Sequence, residues 1–297
     1  MARLRVMKAL LTFAPVLLAA AAALPAQGRE ASTVARIHII GASVSGGFTD
    51  GPMFGAKEPG ESVSLHRLLK RWCDDEVKVS THPPMEMWML FRNPAKTGEK
   101  QVLIAKRRKP DAVVAIDFLF WFVYGYVTGD PEAQRAAGLE RGLALLDQLD
   151  VPLMVGDLPD MRGAANRMLK ARQIPSVVVL ERLNRRLRSW ADERGDVTLV
   201  PLAALVKELK HEGSELPLKT GALRTPPAAL LQSDRLHATR LGMAFLVFRM
   251  QAALQGLFDL GHALHGQRWS FEEFVEAAGA EEELEELQQR LASRRDR

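Results

Sequence analysis

Three residues lying far apart in the chain are of the types that together turn a hydroxyl into a nucleophile. Ser43 stands in the stretch Ala35-Arg36-Ile37-His38-Ile39-Ile40-Gly41-Ala42-Ser43-Val44-Ser45-Gly46-Gly47, and Asp234 and His237 stand in Ser233-Asp234-Arg235-Leu236-His237-Ala238-Thr239. A serine hydroxyl attacks poorly until a base takes its proton, and that base needs a third group to fix its tautomer. With only two residues between them, the Asp234 carboxylate can reach the Nδ1 side of the His237 ring while Nε2 points toward a serine brought in from elsewhere. Taken singly, Asp234 reads as a helix cap and His237 as a surface histidine. Together with Ser43 they form a candidate triad in the order Ser, Asp, His.

The element that must carry Ser43 is a short strand. The β-branched residues Ile37, Ile39 and Ile40 stop at Gly41, which delivers Ser43 to a strand's carboxyl end, where open α/β sheets place their ligands. Other uses of this glycine-rich turn fail on particular residues. Gly41 and Gly46 have the spacing of a phosphate-binding loop, but Gly47-Phe48 stands where Lys-Ser/Thr should follow. Ser43 occupies the second glycine position of the dinucleotide fingerprint, and Ser45 stands where the last glycine of the Gly-x-Ser-x-Gly elbow belongs. A plain strand-to-helix turn is the reading that remains beside the nucleophile.

The two blocks resemble the SGNH/GDSL hydrolase superfamily, in which Gly-Asp-Ser follows the first strand and Asp-x-x-His precedes the last helix. Here they stand as Gly41-Ala42-Ser43 and Asp234-Arg235-Leu236-His237, and the order of elements spans residues 37–248. The resemblance implies a secreted or intracellular ester hydrolase with a flavodoxin-like sheet. It makes Ser43 the nucleophile, His237 the general base and Asp234 its orienting carboxylate. Three departures accompany it. Ala42 replaces the usual aspartate, and the family's oxyanion glycine and asparagine have no evident counterparts: the second strand runs into Ser80-Thr81-His82-Pro83-Pro84, and Phe118 and Phe120 follow the third. The Ser43 N–H remains as a donor, and each lost donor costs about 100- to 1,000-fold in turnover.

The rest of the chain supplies the scaffold. Strands are expected at 37–40, 77–79, 112–117, 152–156 and 197–201, alternating with helices at 61–72, 101–109, 131–150 and 177–193. That alternation predicts a three-layer α/β/α fold around a five-stranded parallel, flavodoxin-like sheet. Residues 49–60, rich in glycine and proline, are expected to pass over the sheet edge beside Ser43. The proline-containing stretch 216–232 reads as a surface loop able to act as a lid. Trp88, in the apolar run 82–91, and Phe120 and Trp121, in the aromatic run 118–126, are candidate pocket residues, with core packing the ordinary alternative. Asp117 is either a structural capping group, the favoured reading, or an active-site carboxylate. Asp157 and Asp160 could bind a metal, with loop capping preferred.

Residues 1–28 carry Arg3, Arg5 and Lys8, then an apolar zone at 9–24, then Pro25-Ala26-Gln27-Gly28, the order of a secretory signal. Pro15 and the alanine run argue against a permanent membrane span. Without these residues the formal charge of the 297-residue chain falls from +4 to +1, which removes the global support for a nucleic-acid partner. The lone Cys73 permits no internal disulfide, so an exported chain must be stable through its core. The chemistry requires no cofactor. The expected organisation is a signal at 1–28, an α/β domain at 29–258 and an exposed helical extension at 259–297. The expected substrate is an ester carrying a small-molecule, glycan or lipid acyl group. Two rivals remain: a binding or structural protein of the same fold that has lost turnover, and a nucleotide-dependent transferase, weakened by the absent lysine in the first loop.

Overall fold

The isoleucine run forms β1 (Arg36–Ile39), whose Ile37 and Ile39 are fully buried on one face while His38 is buried on the other. The computed structural model describes residues 35–49, 63–74 and 76–295. The expected signal at 1–28 and nearly all of the loop expected at 49–60 lie outside them. Among the described residues, β1 joins β2 (Lys78–Thr81), β3 (Ala112–Ala115), β4 (Leu153–Gly156) and β5 (Val197–Val200) in one parallel sheet of order β2-β1-β3-β4-β5. The register pairs Ile37 with both Val79 and Ala112, Val113 with Leu153, and Leu153 with Val197. This is the flavodoxin-like strand order. β3 and β4 are buried along their whole length, because helices cover both faces of a parallel sheet.

Helices fill both outer layers. The chain runs through α1 (Ser43–Gly46), α2 (Leu65–Cys73), α3 (Pro84–Trp88), α4 (Pro94–Arg108), α5 (Phe120–Tyr124), α6 (Pro131–Leu146), α7 (Val177–Arg194) and α8 (Leu202–Lys207). The side chains of Ser64, Asn93, Asp130 and Ser176 accept N–H groups of the first turns of α2, α4, α6 and α7, so local chemistry sets where these helices begin. α4 ends at Lys109, which adopts a left-handed conformation just before Pro110. Two apolar cores result. Ile37, Ile39, Val114 and Met154 pack with Leu65, Leu69 and Trp72 on one side of the sheet, and Val113, Ala115 and Leu153 pack with Leu139, Leu143 and Leu187 on the other.

Three sequence expectations are corrected. The third strand ends at Ala115, so Asp117 lies in the turn that follows it. Part of the stretch expected as a surface loop is an antiparallel hairpin, β6 (Glu215–Leu218) with β7 (Gly221–Arg224), which tolerates Pro217 because each strand has a free edge. The carboxyl-terminal segment is exposed only in part, chiefly along residues 281–293. After α9 (Arg240–Gln255), helix α10 (Phe271–Ala278) buries Phe271, Phe274 and Val275, whose i, i+3, i+4 spacing makes one apolar stripe against α9. In α11 (Glu281–Arg295), Glu283 accepts the Leu241 N–H and the Arg240 guanidinium at the start of α9. Among the described residues no helix is long and apolar enough to cross a membrane.

Candidate active site

The turn after β1 is held from two distant elements. Gly41 has φ of +154°, and its N–H and C=O both bond the side chain of the buried Gln101 on α4, at 2.8 and 2.9 Å. A Cβ at this position would lie 2.1 Å from Asp117 Oδ1, so the close approach of the carboxylate demands glycine. The Asp117 carboxylate accepts the N–H groups of Ala42 at 3.0 Å, Val44 at 2.8 Å and Ser45 at 3.2 Å, together with the Ser45 hydroxyl at 2.6 Å. Ser43 opens α1 within this cradle.

Asp234 and His237 arrive on the loop before α9. Leu231 bridges Ala238, and between them the chain makes a tight turn with Arg235 at φ +59°. Asp234 is fully buried, and its Oδ1 accepts the N–H groups of Leu236 at 2.9 Å and His237 at 3.0 Å. Its Oδ2 lies 2.5 Å from His237 Nδ1. Burial would raise this carboxyl's pKa, but the hydrogen bond and charge of His237 and the two backbone N–H groups outweigh it and hold it below the usual range. An ionised carboxylate only accepts, so Nδ1 carries the proton and Nε2 is left as the acceptor. His237 Nε2 lies 2.7 Å from Ser43 Oγ.

The two loops are tied to each other around this contact. The Phe48 ring packs on the His237 ring with centroids 4.3 Å apart. Gln232 Nε2 donates to the carbonyls of Phe48 and Ala238, both at 2.7 Å. A cavity of about 70 Å³ opens beside Ser43 and His237, walled mainly by apolar side chains that include Phe120, Leu158, Leu202 and Val206. Asp117 and Asp157 add carboxylates to its lining. Burial raises the pKa of Asp157, although its Oδ1 accepts the Ala203 N–H at 2.6 Å.

The candidate residues singled out in the sequence therefore separate into groups. Ser43, Asp234 and His237 converge, and Asp117 and Phe120 line the cavity beside them. Trp121 does not: successive helical residues point about 100° apart, and Trp121 lines a different cavity with Phe91 and Tyr126. Trp88 also stands outside the Ser43 cavity, donating its indole N–H to the Gly47 carbonyl at 2.9 Å and meeting the Phe48 ring edge-on. Asp157 and Asp160 are engaged by Ala203 N–H and by Arg162 respectively. Phe118 is buried in the core and Phe120 lines the cavity, so neither side chain offers a hydrogen-bond donor beside Ser43. Gln101 and Phe48 escaped sequence reasoning because nothing in the local pattern of a helix glutamine or a loop phenylalanine reports which distant backbone it meets.

No family model matches the chain, and no curated protein does. Among solved structures it is similar to BT4096, a gut microbial diltiazem-metabolizing enzyme, with 11% identity and a TM-score of 0.46 over 74% of this chain and 47% of that one. The chain thus spans about half the length of that protein. It is also similar to the acetyl xylan esterase AlAXEase, with 15% identity and a TM-score of 0.43 over 74% of this chain and 99% of that one. TesA gives 13% identity and a TM-score of 0.43 over 75% of this chain and 99% of the other. All three likenesses are distant.

Proposed function

We propose that the chain is a serine ester hydrolase of the SGNH/GDSL type. His237 takes the Ser43 proton as Oγ attacks the ester carbonyl, and the resulting imidazolium returns that proton to the departing alcohol oxygen. The acyl group then sits on Ser43 until water, deprotonated by His237, releases it as the carboxylic acid and restores the serine. Asp234 holds the ring and stabilises its charged form. The observation that carries this reading is the 2.7 Å approach of His237 Nε2 to Ser43 Oγ, backed by the 2.5 Å contact of Nδ1 with Asp234. The order of basic, apolar and small residues in 1–28 supports export.

A fluorophosphonate probe tests the assignment directly. The wild type becomes labelled, Ser43→Ala abolishes labelling and Ser45→Ala retains it. A folded wild type that stays unlabelled sinks the reading. It would favour a second one, a binding protein of the same fold without turnover. One observation favours that alternative: Asp117 already occupies the Val44 and Ser45 N–H groups, so the turn offers the oxyanion few donors besides the Ser43 N–H.

A further inference from the structure

We propose that Asp117 is the positioning residue for the nucleophile, setting where the Ser43 hydroxyl and the Ser43 N–H stand; this rests on Ser43 acting as the nucleophile. The element that presents Ser43 cannot hold itself. α1 has four residues, fewer than a self-sustaining helix needs, and its N-cap, Ala42, makes no side-chain capping bond. What replaces the local cap is a carboxylate delivered from beyond β3, more than 70 residues along the chain. Its two oxygens receive four bonds, one from each of the Ala42, Val44 and Ser45 N–H groups and one from the Ser45 hydroxyl. That matches the capacity of an ionised carboxylate.

The selection among donors gives the clamp its chemical consequence. Of the four successive N–H groups from Ala42 to Ser45, Asp117 takes every one except that of Ser43, which has no acceptor among the described residues. The N–H adjoining the nucleophilic oxygen is thereby left for the developing oxyanion. Among the described residues the hydrogen bonds Asp117 accepts all come from the turn it holds. Gly41 belongs to the same device, since any Cβ there would collide with Asp117 Oδ1.

The test compares wild type with Asp117→Asn, which keeps the shape but turns an NH2 group toward backbone donors, and with Asp117→Ala supplemented by formate. In Asp117→Asn the second-order rate of fluorophosphonate labelling falls about 10- to 100-fold, the loss expected from a small misplacement of a reacting atom. With an ester substrate the loss falls on kcat and leaves KM near its wild-type value. Amide hydrogen exchange over residues 42–46 quickens while the thermal midpoint stays high enough for a folded protein. Formate partly restores labelling to Asp117→Ala. Labelling of Asp117→Asn at the wild-type rate overturns the proposal, as does formate-independent behaviour of Asp117→Ala. Should Asp117→Asn fail to fold, Ser45→Ala removes one of the four bonds, and unchanged exchange over 42–46 in that variant counts against the clamp. An unlabelled wild type removes the functional reading instead, and the exchange comparison then decides the clamp by itself.

Discussion

His237 Nε2 and Ser43 Oγ, 194 residues apart in the chain, meet at 2.7 Å. The contact spans the end of β1 and the loop before α9, and it is reinforced on both sides. Gln232 joins the two loops through the Phe48 and Ala238 carbonyls, and Phe48 covers the imidazole face. In the proposed reaction a hydroxyl and an imidazole held this way would be oriented before substrate arrives, avoiding the cost of reorganising during reaction.

Asp234→Asn is expected to lower kcat by about 10⁴-fold, because an amide no longer selects the tautomer with its proton on Nδ1. The change also weakens the turn, since Asp234 Oδ1 accepts the Leu236 and His237 N–H groups. Steady-state kinetics on a p-nitrophenyl ester, with circular dichroism to verify folding, separate the two effects. Wild-type kcat in a folded Asp234→Asn would rule out the orienting role.

Stability is expected to decline in acid because of a buried imidazole. His38 is pushed down to about 4 by burial first, then by the charges of His82, Arg108 and His66. Unfolded, it would titrate near 6.5. Between those values the unfolded chain binds more protons, so stability is complete above about pH 6.5 and drains away as the pH falls toward 4. The loss is about 1.4 kcal/mol per pH unit, or about 3 kcal/mol across the window. His82, 5.1 Å from His38 between ring centroids, shifts in the same direction through its own burial. Thermal midpoints measured from pH 7 to pH 4 should fall less steeply for His38→Asn than for wild type; parallel curves would contradict the assignment.

Phe120 is expected to set the length of acyl chain that the site accepts. The cavity beside Ser43 is small, about 70 Å³, and Phe120 forms part of its wall. Each methylene of fit or misfit changes discrimination by about 10-fold or more. The wild type should therefore prefer acetyl and propionyl esters, and Phe120→Ala should raise the hexanoyl-to-acetyl ratio of kcat/KM at least tenfold. The same ratio in both proteins would show that the acyl chain lies elsewhere.

Phe274→Ala is expected to destabilise the whole protein by about 3–5 kcal/mol, the range for emptying a buried aromatic site. Phe274 is fully buried and packs with Phe248 of α9 and with Trp269. Denaturant unfolding followed by tryptophan fluorescence reads this. A change confined to the last helices, with the main transition unmoved, would make the segment separable from the core.

The residues themselves determined the layer architecture. Alternation of β-branched runs with helices predicts the parallel sheet, and α6 and α7 start at their local caps, Asp130 and Ser176, whereas α2 and α4, expected from 61 and 101, start after Ser64 and Asn93. Such signals are legible because they act over three or four residues. The types and spacing of Ser43, Asp234 and His237 were legible for the same reason, as a list of groups able to move a proton. What the tertiary structure alone decided is which groups meet. It sent Phe120 to the Ser43 cavity and its neighbour Trp121 to another, and it brought Gln101 and Asp117 to the backbone of one turn. It also laid Phe271 and Phe274 into the core where an exposed helical extension was expected. These outcomes depend on the direction of a side chain from a packed element and on contacts across 60 to 194 residues of chain, which no local spacing encodes.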